Sequence, residues 1–174
     1  MKLSIKFISL LLVVLGSLMI TSCGSTKNYK KISKYQQKTY IKLKEELPEA
    51  TVTIVNDSIK VLFPNHLLFK TGASDLNESV NVTFERFGRV LNKYDRTKIL
   101  INGYTDNTGN KEFNQQLSQK RADNALSRLV IAKVDKDRLY AWGHGQSNPI
   151  GSNDNESGRE KNRRVEFIVL YAMD

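Results

Sequence analysis

Cysteine and histidine are scarce in this chain: one Cys (Cys23) and two His (His66, His144) in 174 residues. A single thiol closes no internal disulfide and builds no cysteine-based zinc site. Two isolated histidines without an H-x-x-x-H spacing make a poor metal site, and no cofactor is expected. There are no internal repeats or low-complexity tracts. Acid is also in deficit, with 18 Asp and Glu against 27 Lys and Arg, a net charge of +9. That balance favours anionic partners: nucleic acid, anionic lipid or an acidic wall polymer. What is present is ordinary for a globular protein. Hydrophobic content is 40% and charged content 26%, which argues against wholesale disorder, and the length suits one domain with a core plus extras.

The N-terminus reads "MKLSIKFISLLLVVLGSLMITSCGS". Lys2 and Lys6 form a short positive region, and Phe7 to Ile20 a compact apolar one. Residues 1–22 read as a signal peptide rather than a fold element. Ile20-Thr21-Ser22-Cys23 resembles a bacterial lipobox, which implies cleavage before Cys23 and lipidation of its sulfur and its new amine. At about 0.8 kcal/mol per buried CH₂, several chains hold a protein firmly in a bilayer. A retained membrane helix with an incidental cysteine is the alternative. Gly24 is not the aspartate that typically retains lipoproteins in the inner membrane, so the resemblance implies outer-membrane sorting with the domain in the periplasm. Export also removes the chain from nucleic acid.

Residues 23–48 follow as a basic segment, with seven lysines and no acid between 24 and 44. Tyr29, Ile32, Gln36, Tyr40, Leu43 and Leu47 step by three or four, the spacing of a thin amphipathic helix. The segment reads either as a basic arm on anionic lipid or wall polymer, or as a solvated tether. Pro48 marks a boundary, after which residues 49–174 form the folded domain. Thr51–Val55 and Ile59–Phe63 are β-rich runs joined by hairpin residues. Residues 73–94 read as a helix with Ser74 or Asp75 as its cap. "TKILINGY" is nearly continuously apolar, as in a strand buried on both faces. A second helix over 111–133 is expected to turn Phe113, Leu117, Ala125 and Leu129 inward. Strands at 138–143 and 163–171 flank a long polar loop. Together these predict an α/β fold: a two-layer sandwich with both helices on one face of a mixed sheet.

The stretch "GYTDNTGNKEFNQQLSQKRA" carries the chemistry. Asn114, Ser118 and Arg121 lie at i, i+4 and i+7, a stripe about 60° wide on a helix. Asp106 follows a strand at its C-terminal end, the side where open α/β sheets gather ligands. A carboxylate and a guanidinium at one cleft suit a zwitterion, with an ammonium against Asp106 and a carboxylate against Arg121. The other reading is a structural Asp106–Arg121 bridge.

That stretch closely resembles the central motif of OmpA-like peptidoglycan-binding domains, G-x-T-D-x-x-G followed by N-x-x-L-S-x-x-R-A, here Gly103, Thr105, Asp106, Gly109, Asn114, Leu117, Ser118, Arg121 and Ala122. "LLFKTGASDL" and "GREKNRRVEF" resemble flanking pieces of the same family, and the likeness runs over about residues 50 to 171. It implies that Asp106 and Arg121 grip diaminopimelate of the peptidoglycan stem peptide, with support from Asn114, Thr105, Ser118, Phe69, Thr71 and Arg163. The first arginine of "NRRVE", Arg163, either faces the cleft or pairs with Glu160 or Glu166. With the lipobox, the chain resembles peptidoglycan-associated lipoproteins. Membership of the Tol–Pal envelope system stays open, because the basic stretch 24–44 and the early hairpin make the chain longer before the domain than a minimal relative.

Other residues carry less. Asp106 with Glu112 imitates a glycosidase pair, but acids are common in a first helical turn for dipole reasons. Ser118 has no base beside it. "GREKNRR" lacks the aromatic stacking surface of nucleic-acid binders. His144 is expected to shape a loop near the cleft, and Trp142 to lie in core or sheet face. The expected function is a non-enzymatic wall anchor. The alternatives are a scaffold in an envelope, secretion or motor complex, and a wall-acting hydrolase.

Overall fold

The computed structural model describes residues 23–70 and 73–171, with side chains from Lys34 onward. The signal segment and Thr71 lie outside the described residues. The chain forms two units, Met1–Tyr35 and Gln36–Asp174. Helix α1 (Cys23–Glu46) covers the basic segment. In the second unit Thr39, Leu43 and Leu47 are fully buried. The compact unit therefore begins at Gln36, before Pro48, because the three-four spacing of these residues supplies a face that the core takes up. Among the described residues no helix is long and apolar enough to cross a membrane.

Strands β1 (Thr51–Val55) and β2 (Ser58–Pro64) form the expected hairpin, with Asn56 at φ 52° in its turn. Pro64 leads into the single-turn helix α2 (Asn65–Leu68), for which the sequence offered no periodicity. The next helix starts later than expected. A 3₁₀ turn at Glu78–Val80 precedes α3 (Asn81–Lys93), and no side chain caps either start. Ser74 and Asp75 are not caps. Residues 73–77 instead run back along the chain, with Phe69 bridging Leu76, and the carbonyls of Ala73 and Ser74 accept from Arg121 and Asn124. Tertiary hydrogen bonds win over the local cap.

Strand β3 (Thr97–Tyr104), helix α4 (Lys111–Ile131) and strand β4 (Leu139–Gly143) make a crossover unit with parallel strands. A short helix α5 (Glu156–Asn162) precedes strand β5 (Arg164–Tyr171). The sheet order is β1-β2-β5-β3-β4. The last strand inserts between β2 and β3, antiparallel to both. Ile59, Val61 and Phe63 on β2, Ile99 and Ile101 on β3, and Phe167 on β5 share one buried face. Phe84 and Phe87 of α3 pack on Phe167 with ring centroids 6.0 and 5.2 Å apart, and Ala122, Ala125 and Leu129 of α4 join the same core. The two-layer mixed-sheet expectation describes this architecture.

Strand β3 is not buried on both faces. Ile99 and Ile101 are buried, whereas Lys98 is exposed and Leu100 and Asn102 are half-buried. Trp142 stacks on Tyr140 across 6.0 Å, and both are exposed on the edge strand rather than in the core. At its end, Gly143, the edge of β4 is covered by side chains from α4. Gln119 accepts from the Gly143 N–H at 2.7 Å, and Gln115 donates to the Gly143 carbonyl at 2.7 Å. Groups so engaged are not available to pair with another strand.

Candidate functional site

Helix α4 is set by close backbone approach. A Cβ on Gly103 would lie 2.2 Å from the Ser118 carbonyl oxygen, and one on Gly143 would lie 2.3 Å from the Gln119 nitrogen. These adjacent strand positions let the first half of α4 settle directly on the sheet end. Its inward residues are therefore Asn114, Ser118 and Arg121, at 2%, 0% and 2% exposure. Phe113, expected inward, is exposed and Leu117 half-buried. The reason is geometric: where the helix backbone sits on Gly103 and Gly143, at Ser118 and Gln119, only a small inward side chain such as Ser118 fits, and this seat turns the stripe of Asn114, Ser118 and Arg121 inward. Ala125 and Leu129 carry the core contact further along, as the spacing predicts, and Ala122 joins them.

The residues around this end enclose a cavity of about 800 Å³. Phe69, Thr105, Asp106, Asn114, Arg121 and Arg163 all line it. Ser118 does not belong to that lining. Its hydroxyl accepts from Gly145 N–H at 2.8 Å and donates to the Gln115 carbonyl at 2.9 Å, which makes it a tie between α4 and the loop after β4. Thr105 and Asn114 serve the wall as well as line it. The Thr105 hydroxyl donates to the Asp106 carbonyl at 2.8 Å, and Asn114 Nδ2 donates to Thr108 O at 3.0 Å and Gln146 Oε1 at 3.2 Å.

Asp106 and Arg121 share the cavity without forming the direct bridge: among the described residues no ion pair joins them within 4.0 Å. Asp106 is held by its own turn, with Oδ1 accepting from Thr108 N–H at 2.9 Å. Its Oδ2 accepts from Arg163 Nη1 at 2.7 Å, and Arg163 Nη2 reaches Glu156 at 2.6 Å. Arg163 thus faces the cleft and pairs with neither Glu160 nor Glu166. Glu160 stands 3.0 Å from His66, an ion pair when that ring is protonated, and Glu166 takes Arg164 at 2.8 Å. Burial pushes the Asp106 carboxyl up, but the bonds from Arg163 and Thr108 outweigh it and hold the group below its ordinary range. Burial works against the Arg163 charge too, and its bonds to Asp106 and Glu156 raise its pKa in net.

Arg121 is the unusual member. Its Nε donates to the Ala73 carbonyl at 3.0 Å, and its guanidinium lies 5.2 Å from the centre of the Phe69 ring. Burial pulls its pKa down to about 10, with the Asp106 charge opposing and Arg163 adding to the fall. It remains a cation at neutral pH, largely desolvated, in the wall of an open cleft. A buried cation of this kind gains most from an anion that reaches it.

Of the remaining expectations, His144 sits outside the cavity lining. Its Nε2 is 2.9 Å from Asn102 Oδ1, and its ring stacks on Tyr104, with Arg164 on that ring at 3.7 Å. Glu112 is exposed and does not line the cavity with Asp106, which removes the paired-carboxylate geometry. Sequence reasoning missed Asn65, Glu156 and Arg159 as cavity residues. Only the basic character of "GREKNRR" pointed towards the last of these.

Two tests arise from this geometry. Asp106 has a depressed folded pKa, so its contribution is present above the unfolded value and is lost as pH falls through the folded one. Acid unfolding should therefore be steeper in wild type than in Asp106→Asn, and equal slopes would contradict the pairing. Asn162 is 1% exposed and staples the loop before α5. Its Oδ1 accepts from Ile150 and Gly151 N–H at 2.8 Å each, and its Nδ2 donates to Gly151 O at 2.9 Å and Asn153 Oδ1 at 2.8 Å. Asn162→Ala should lower stability by about 2–3 kcal/mol, read as a lower urea midpoint, because buried groups are left unpaired.

An α/β domain whose sheet end carries a buried arginine and a pinned aspartate in one cleft is the class that fold and site define. The OmpA family profile matches residues 68–163, and the chain belongs to the OmpA family. It is similar to the Probable lipoprotein YiaD of Escherichia coli (strain K12), at 37% identity over 119 residues, 68% of this chain and 54% of that protein. It is also similar to the Peptidoglycan-binding protein ArfA of Mycobacterium tuberculosis, at 43% identity over 89 residues, 49% of this chain and 27% of that one. The match thus spans about half of the first relative and about a quarter of the second. Among solved structures, a MotB-like protein from Desulfovibrio vulgaris superposes with a TM-score of 0.74 at 23% identity, over 82% of this chain and 98% of that one. This likeness is one of fold.

Proposed function

We propose that this domain binds peptidoglycan non-covalently by the zwitterionic end of diaminopimelate in the stem peptide, and does no chemistry on it. The observation that carries the reading is Arg121, a desolvated cation in a cleft wall with Asp106 across the same cavity. The ligand's carboxylate takes two parallel bonds from Arg121, and its ammonium approaches the lone pairs that Asp106 has left beside Arg163. Phe69 backs the guanidinium, and Thr105 and Asn114 hold the Asp106 turn. The name of the ArfA relative supports the wall ligand, and that of YiaD supports a lipoprotein.

The chain then works as an outer-membrane anchor in the periplasm. Lipid on Cys23, after removal of residues 1–22, holds one end in the membrane, and the domain holds the wall. A single stem peptide offers few contacts, so attachment gains durability from many wall sites and from the effective concentration that the tether imposes. The test is retention on insoluble peptidoglycan, wild type against Asp106→Ala. Loss of retention with unchanged muropeptides supports the anchor, whereas altered muropeptides would favour a hydrolase. The MotB-like fold suits a second reading, in which the same grip fixes a scaffold of an envelope or motor complex. Co-purified protein partners, Tol–Pal members among them, would separate the two.

A further inference from the structure

The sheet has two faces, and α3 and α4 use one of them. Ile99 and Ile101 of β3 and Leu139 of β4 belong to the core on that side. Alternation along a strand turns their neighbours to the opposite face. There Leu100 stands in register with Tyr140, and Asn102 with Trp142. Tyr140 is 36% exposed and Trp142 46%. Their rings are nearly parallel, at 9°, with centroids 6.0 Å apart. At that spacing each ring covers only part of the other, so aromatic face is left to solvent. Lys98 Nζ lies 5.8 Å from the centre of the Tyr140 ring, and Trp142 is the more exposed of the two. Two large rings ordered against each other and turned to solvent mark a contact surface rather than scattered surface apolarity.

What surrounds the pair selects its occupant. A peptide strand does not add at this end of β4. Gln119 takes the Gly143 N–H and reaches the Ala141 carbonyl at 3.4 Å, and Gln115 takes the Gly143 carbonyl. Strand addition needs those outer-edge groups. A stable protein interface buries about 800 Å² on each partner, whereas two aromatic side chains hold at most about 500 Å². A pyranose ring is the better match. One of its faces is a patch of C–H groups the size of an aromatic ring, drawn to the negative face of a π-system. Its hydroxyls radiate from the rim, and Lys98 and Asn102 give the platform polar borders. The pair also lies towards the end of the sheet that carries the cleft. Asp106 is four positions beyond Asn102 along the chain, at most about 14 Å away, and a wall fragment joins stem peptide to sugar.

We propose that Trp142 and Tyr140 form a saccharide subsite, on which a pyranose ring of the peptidoglycan glycan strand stacks by its C–H face. The subsite rests on the proposed wall ligand and extends it from stem peptide to sugar. A weak second contact on the same polymer strengthens retention through effective concentration.

Trp142 is the only tryptophan of the chain, so intrinsic fluorescence reads the subsite directly. The protein is titrated with peptide-free glycan strands of alternating N-acetylglucosamine and N-acetylmuramic acid, and separately with free meso-diaminopimelate. Wild type should show a saturable emission shift with the glycan. Calorimetry then compares the variants. Trp142→Ala should weaken glycan binding about tenfold, the loss expected for one stacking ring. Its diaminopimelate affinity should stay within about twofold of wild type, and its melting temperature should hold, because the side chain is exposed. Trp142→Phe keeps an aromatic face and should retain most of the glycan affinity. Arg121→Met should do the reverse of Trp142→Ala, losing diaminopimelate and keeping glycan. Unchanged glycan affinity in Trp142→Ala would overturn the subsite and leave the cleft reading standing. So would a wild type that takes diaminopimelate and ignores glycan. Glycan binding by a wild type that ignores diaminopimelate would overturn the cleft reading and support the subsite. A dimer in sedimentation that Trp142→Ala disperses, without glycan binding, would assign the face to a second copy and end the proposal.

Discussion

Arg121→Met should release the protein from insoluble peptidoglycan while leaving it folded. Arg121 is 2% exposed and carries a pKa pulled to about 10 by burial. Among the described residues its partners are the Ala73 carbonyl and the face of Phe69. Neither neutralises the charge, so desolvation is poorly offset until an anion arrives. Methionine is of comparable reach and can pack on Phe69 without a buried charge, and replacing buried ionic groups by apolar ones is often neutral for stability. The melting temperature should therefore stay within a few degrees of wild type. Binding should fall on the order of a hundredfold or more, the equivalent of about 3 kcal/mol for a desolvated, charge-assisted pair. Sacculus sedimentation and a thermal melt on the same preparation measure both quantities. Full retention of the variant on the wall would sink the proposed grip, and loss of fold would show that the carbonyl bond and ring contact matter more than the charge.

Gly103→Ala should be among the most damaging single-methyl changes in this domain. Its added Cβ would stand 2.2 Å from the Ser118 carbonyl oxygen and 3.1 Å from the carbonyl carbon. Both are backbone atoms in the middle of a helix, so no flexible side chain can move aside. Either α4 lifts off β3 or the strand end bends. Lifting α4 also disturbs the tie between Ser118 and Gly145, the Gln119 bonds that close the β4 edge, and the depth at which Arg121 enters the cleft. Overpacking against rigid backbone costs about 3 kcal/mol and sometimes more. The denaturation midpoint should fall accordingly, and ligand affinity should fall with it even where the protein remains folded. A midpoint equal to wild type would mean that the helix seat is softer than the contact distances indicate.

Apolar spacing was enough to locate the β1–β2 hairpin, α4, β4 and β5, because a period of two or of three to four reports directly which side of an element meets a core. Asp106 and Arg121 were legible as one site because turn residues place the first at a strand end and helical spacing places the second over it. The orientation of α4 was not legible. Phe113 and Leu117 looked like its inward line, yet Asn114, Ser118 and Arg121 point in, since glycines on two different strands seat the helix backbone at Ser118, where only a small side chain fits. Nor was the start of α3 legible: Ser74 and Asp75 are good cap residues whose local role is displaced by bonds from Arg121 and Asn124, about fifty positions away.

Local chemistry therefore determined the elements, the basic surplus, the acid in its turn and the arginine on its helix, since each of these depends on neighbours within one or two helical turns. Only the tertiary structure decided that the final strand slips between β2 and β3, that Arg163 rather than Arg121 holds Asp106, and that Asn65 borders the cleft. Those outcomes depend on contacts between segments far apart in the chain, selected by shared burial and by which polar groups are left to satisfy one another, and no periodicity in the residue order records them.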